Sequence, residues 1–157
     1  MAVKTKNPIE EDLEIFSSWK ILSRFKSLPR SHEDLLNFLR FCYGDHIRST
    51  PIDQMPERQV YMIVQRVYSS AKEACEDIVI QDKEIALFHS LANYENALKK
   101  RRAIRPLDGN GTNAIRDIEA SVENLEERVC IQLEDPFFQK NQRADNIFSA
   151  LKKEYEN

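Results

Sequence analysis

Glycine is scarce, with three in 157 residues. Sheet proteins place glycine in tight turns, so this scarcity argues against an all-β fold. Cysteine is sparse too. Cys42, Cys75 and Cys130 are odd in number, far apart and free of CxxC spacing. A disulfide framework or zinc ribbon is therefore not expected, and reduced thiols filling small core gaps in an intracellular protein are. No apolar run approaches the length of a membrane span, and Met1 to Asn7 lacks the apolar stretch of a signal peptide. There is no GxSxG, no phosphate-binding P-loop and no GxGxxG after a strand. His32, His46 and His89 have no Cys, Asp or Glu at a recurrent ligand spacing, and no Glu-x-x-His pair occurs. Glu73, Glu76 and Asp77 read as a solvated helix face, and Asp45-His46 as a loop pair. The expectation is a chain that is not an enzyme, with no metal, no cofactor, no small-molecule substrate and no membrane contact.

What is present is helical periodicity along almost the whole chain. Asn7-Pro8-Ile9-Glu10 reads as a helix start, and Ile9, Leu13, Phe16, Trp19, Leu22 and Phe25 form one apolar stripe that Pro29 ends. Ser31 starts a second helix with Leu35, Leu36, Phe38, Leu39 and Cys42 inward, and Gly44 sits at its C′ position. Asp45 to Met55 reads as a loop. After Pro56 there is no glycine or proline up to Arg105. The stripe Val60, Val64, Val67, Ala71, Ala74, Ile78 is interrupted by Gln81-Asp82-Lys83-Glu84 and resumes at Ile85, Phe88, Leu91, Tyr94 and Leu98. One very long helix or two with a break near Gln81 would satisfy that pattern, and two is the more ordinary length. Ile115, Ile118, Val122, Leu125 and Val129 form the cleanest stripe, with Thr112 as candidate N-cap. Asp135-Pro136 starts a tail carrying Phe137, Phe138, Ile147, Phe148, Leu151 and Tyr155. Several helices with one apolar stripe each predict an all-α protein: a four-helix bundle core with additional helical segments at the ends, in one domain spanning 1–157. Residues 1–8 and 150–157 are expected at the outer surface or flexible.

Charge is unevenly placed. Lys99-Lys100-Arg101-Arg102-Ala103-Ile104-Arg105 holds five cations in seven residues. The whole chain has 23 Lys and Arg against 26 Asp and Glu; without these five it would have 18 against 26. A local cationic patch on an acidic body suggests a local anionic partner. Pro106 to Thr112 follows and holds two of the three glycines, so the cations end a helix and enter a loop of the kind that wraps a phosphate chain. The competing reading is cations compensating a helix C-terminus, or a localisation signal.

Two stretches carry a resemblance. Ser18-Trp19-Lys20-Ile21-Leu22 is followed by Pro51-Ile52-Asp53-Gln54-Met55-Pro56-Glu57-Arg58-Gln59-Val60-Tyr61-Met62-Ile63-Val64. This resembles the coat proteins of rod-shaped plant RNA viruses, nearest the tobacco-rattle type, where a Ser-Trp-Lys helix start precedes a Pro-x-x-Gln-Phe-Pro-acid-Lys-x-Val-Tyr segment. Thr112-Asn113-Ala114-Ile115-Arg116 with Ser121-Val122-Glu123-Asn124-Leu125 is similar to the long helix of the same proteins and of the tobacco-mosaic type. The resemblance spans Ser17 to Arg128, and the Pro51–Val64 block is its specific part.

It implies a bundle packed side by side into a helical tube around single-stranded RNA, with both termini at the outer radius. RNA would lie along the second pair of long helices and the loop at their inner ends. Arg101, Arg102 and Arg105 would contact phosphates, Thr112 and Asn113 ribose or phosphate, and Arg116 either RNA or a structural ion pair. An alternative alignment moves the phosphate contacts to Arg66 and Lys72. The acidic pair that precedes the family's long helix is replaced here by Gly109 and Asn110. The implied partners are single-stranded RNA and further copies of the chain, in a virion and the host cytoplasm. The alternative is an intracellular all-α adaptor that uses residues 99–105 as a docking or localisation signal.

Overall fold

The computed structural model describes residues 8–104 and 111–155. The fold is all-α: of the described residues 79% are helical, in seven α-helices, and 3% are strand. The order is α1 (Pro8–Arg24), α2 (His32–Tyr43), a two-residue hairpin of β1 (His46–Ile47) and β2 (Thr50–Pro51), a 3-10 turn at Ile52–Gln54, α3 (Glu57–Glu76), α4 (Asp82–Ala103), α5 (Gly111–Leu133), the single turn α6 (Phe137–Lys140), and α7 (Arg143–Glu154). The division near Gln81 is real. α3 ends at Glu76 and α4 begins at Asp82, so the region expected as one helix or two is two.

Local chemistry explains the boundaries. Ser31 caps α2: its Oγ accepts from the Asp34 N–H at 3.1 Å. Gly44 closes that helix at φ +79, a conformation costly for any residue with a Cβ, and its N–H donates to Arg40 O. α1 stops at Arg24, five residues before Pro29. Asp45 to Met55, expected as a plain loop, pairs β1 with β2 in antiparallel register, His46 opposite Pro51 and Ile47 opposite Thr50. Asp135 Oδ1 accepts from the Phe137 N–H at 2.9 Å and so starts α6. That bond first, then Lys83, holds the Asp135 carboxyl below its ordinary value.

The chain divides into two compact units: residues 14–79, and residues 1–13 with 80–157. The first has a core of Leu35, Phe38, Leu39, Ile52, Met55, Val60, Val64 and Tyr68, with Ile21, Leu22 and Phe25 packed against it. Trp19, at a stripe position, is half-buried with its ring stacked on Phe16 at 6.5 Å.

In the second unit, Leu87, Phe88, Leu91, Tyr94 and Leu98 of α4 are buried, as are Val122 and Val129 of α5 and Ala144, Ile147, Phe148 and Leu151 of α7. Lys83 meets Asp135 at 3.0 Å, which places the start of α4 beside the end of α5 and makes the two antiparallel. α7 runs the other way. Its first residue, Arg143, donates through Nη1 to Glu84 Oε2 at 2.8 Å in the first turn of α4. Glu84 is fully buried. Its other oxygen accepts from Asn141 Nδ2 at 3.2 Å. Arg143 Nε also lies 3.9 Å from Asp12 of α1, and Asp12 accepts from Asn146 Nδ2 at 2.9 Å. α4 and α7 therefore start together and run parallel. Residues 150–157, expected at the outer surface or flexible, are helical as far as Glu154, and Leu151 and Tyr155 are buried.

A buried carboxylate without its cation carries a large desolvation penalty. Arg143→Met should cost about 3 kcal/mol in urea unfolding, and Glu84→Gln less, because an amide keeps part of the network. Wild-type stability in Arg143→Met would show that Glu84 does not depend on this pair.

Candidate nucleic-acid interface

The basic run occupies the last turn of α4. Lys99, Lys100 and Arg102 are exposed and Arg101 is half-buried. The last four carbonyls of a helix have no partner within it. α7 ends here as well, and two arginines of α4 take up its carbonyls: Arg101 Nη2 donates to Tyr155 O at 3.2 Å, and Arg102 Nη2 to Glu154 O at 2.7 Å. The Arg102 guanidinium also covers the Tyr155 ring, 4.1 Å from its centroid. α7 adds Lys152 and Lys153, with the Lys152 ammonium 4.4 Å from the Phe148 centroid.

Parallel packing thus brings two helix C-termini to one end of the unit. Each carries about half a negative charge, so together they offset about one cation. Among the described residues six cations stand here, Lys99, Lys100, Arg101, Arg102, Lys152 and Lys153, against the carboxylates of Glu95, Glu126 and Glu154. That leaves three positive charges before the helix ends are counted and about two after. Dipole compensation explains why cations are here; it does not explain this many.

Beneath the cations lies an open cleft of about 440 Å³ lined by Tyr94, Leu98, Arg101, Val122, Glu126, Ser149, Lys152, Lys153 and Tyr155. Tyr94 is 2% exposed. Burial, then Glu126, pushes its phenol up to about 12, against the pull of Arg101. Burial first, then Glu154 and Glu95, raises the Tyr155 phenol against Arg102. Both hydroxyls stay protonated donors at neutral pH.

Of the expected contact residues, the structure brings Arg101 and Arg102 together at the end of α7. Arg105 lies outside the described residues. Thr112 and Asn113 fall in the first turn of α5, and their side chains also lie outside the described residues. Arg116 is exposed on α5 and forms no ion pair among the described residues. Arg66 and Lys72 are exposed on α3, in the unit of residues 14–79, where the Lys72 ammonium sits 5.9 Å from the Tyr68 centroid. The resemblance implies that the termini and the RNA lie at opposite radii, whereas here Glu154 and Tyr155 are bonded to the basic run.

Sequence reasoning missed Tyr94, Lys152, Lys153 and Tyr155 as neighbours of the run. The available signal was Lys152-Lys153 in the last turn of an amphipathic tail helix. It also missed a groove of about 620 Å³ in the other unit, where Arg24, Lys26 and Arg40 surround Phe25 and Phe41.

No family model, no curated protein and no solved structure matches this chain.

Arg101→Gln with Arg102→Gln should release the last turn of α7. Amide exchange at Glu154 and Tyr155 should rise, and stability should fall by about 2 kcal/mol for two charge-assisted bonds. Unchanged exchange at both amides would show that the arginines do not anchor α7.

Proposed function

We propose that this chain is a structural coat protein of the rod-shaped plant-virus kind. It folds around a four-helix bundle core, polymerises into a helical rod and encapsidates single-stranded RNA through phosphate contacts, in a virion assembled in the host cytoplasm. The observation that carries the reading is the surplus of about two positive charges among the described residues at the joint end of α4 and α7, on a chain of net charge −3. A coat that packages any sequence needs phosphate charge and tolerant contacts rather than base-edge readout. It does not need to be globally basic, since its subunits touch one another more than they touch RNA.

A second support lies in the Pro51–Val64 block that carries the resemblance. It forms the 3-10 turn and the start of α3, and there Tyr61 and Met62 are 43% and 52% exposed. Two large apolar side chains left open in that segment suit lateral contact between copies. In this reading Lys99, Lys100, Lys152 and Lys153 supply phosphate charge, together with Arg105, Thr112, Asn113 and Arg116. Arg101 and Arg102 chiefly hold the end of α7.

That anchoring is also the observation that favours the second reading, an all-α adaptor. If both arginines serve the fold, less of the run is left for RNA, and the exposed lysines become a docking signal. Negative-stain electron microscopy of the purified protein, with and without single-stranded RNA across pH and salt, separates the two. Rods or stacked discs of uniform width are expected. Small particles under every condition would contradict the coat reading and favour the adaptor.

A further inference from the structure

We infer that the cleft between α4, α5 and α7 is a seat for one phosphorylated ribose of the bound strand, with phosphate on Arg101, Lys152 and Lys153 and a sugar hydroxyl on Glu126. This deepens the RNA reading and rests on it. Two observations support it independently of the charge at the rim.

The first is the Tyr94 hydroxyl. The side chain is 2% exposed and lines the cleft, yet its O–H has no hydrogen-bond partner among the described residues. That hydroxyl is not among the fully enclosed unpaired atoms, so it opens on the cleft and is free to donate to a ligand acceptor. Burial keeps that phenol protonated well above neutral pH, so it donates rather than repels an anion. Arg101 uses Nη2 on Tyr155 O, and the guanidinium has other N–H groups to offer a phosphate.

The second is Glu126. Among the described residues it is the one acid lining the cleft, against three cations. A bare anion site gains nothing from a carboxylate, which would only repel. A ligand that joins a phosphate to a hydroxyl donor satisfies both sides of the lining. The 2′-hydroxyl of RNA is such a donor and DNA lacks it, so this lining predicts a preference for RNA over DNA of the same sequence. The volume of about 440 Å³ suits one nucleotide rather than a folded strand.

The test is fluorescence anisotropy with the full chain at fixed low salt, using labelled single-stranded RNA and DNA of identical sequence. Thermal melting of each variant checks its fold. The wild type should favour RNA by about tenfold, the worth of one hydrogen bond to a charged group. Glu126→Gln should erase most of that preference. Tyr94→Phe should weaken RNA binding about fivefold without changing its melting behaviour greatly. Lys152→Ala with Lys153→Ala should weaken RNA and DNA alike.

If Glu126→Gln instead strengthens both strands equally, Glu126 only repels phosphate and the sugar contact is wrong. If RNA binds all these variants as well as the wild type, the cleft is not the seat, while RNA binding itself stands. If neither strand binds the wild type, the RNA reading fails and this inference fails with it.

Discussion

The buried Glu84 carboxylate constrains the second unit more than any other group. A fully buried acid must be paired, and its partner Arg143 lies 59 residues away at the first position of α7. The pair fixes where α7 begins, and Asp12 and Asn146 tie the start of α1 to the same point. Once α7 begins beside the start of α4, its apolar residues Ile147, Phe148 and Leu151 can be buried only if the two helices run parallel. From Glu84 to Arg101 is about 26 Å of helix, and from Arg143 to Tyr155 about 18 Å. The long arginine side chains of α4 reach back across that difference.

Parallel packing has an electrostatic consequence. An antiparallel neighbour places opposite helix poles together, whereas parallel α4 and α7 place two negative poles together. Cations at that end are thus required by the fold before any ligand is considered. Arg101 and Arg102 meet this need directly by bonding the carbonyls of Tyr155 and Glu154. Lys99, Lys100, Lys152 and Lys153 exceed it. A site for an anionic strand can arise in this way, from charge first recruited to stabilise a helix junction and then enlarged.

The helices were legible because each carries one apolar stripe at a spacing of three to four, and several ends carry chemistry visible in the sequence, such as Ser31, Gly44 and Asp135-Pro136. The division between α3 and α4 was legible as the polar interruption at Gln81 to Glu84. What that interruption concealed was Glu84 itself. In sequence it is one acid in a charged patch, and only a partner from the far end of the chain makes its burial tolerable. The hairpin at His46–Pro51 was missed because its strands have two residues each, too short for an alternating pattern. The cleft was missed for a related reason: the stripe reading marks Tyr94 and Tyr155 as core without indicating that their ring faces and hydroxyls border an open, basic space.

The central claim is that the joint end of α4 and α7 holds a phosphate backbone by surplus charge. The salt dependence of single-stranded RNA affinity measures this most directly, since each neutralised phosphate contributes about −0.7 to the slope of log affinity against log salt. The account predicts measurable binding at low salt with a slope of about −2 to −4, reduced by roughly one when Lys99 and Lys100 are both changed to alanine. No binding at low salt, or a slope that the double substitution leaves unchanged, would contradict it.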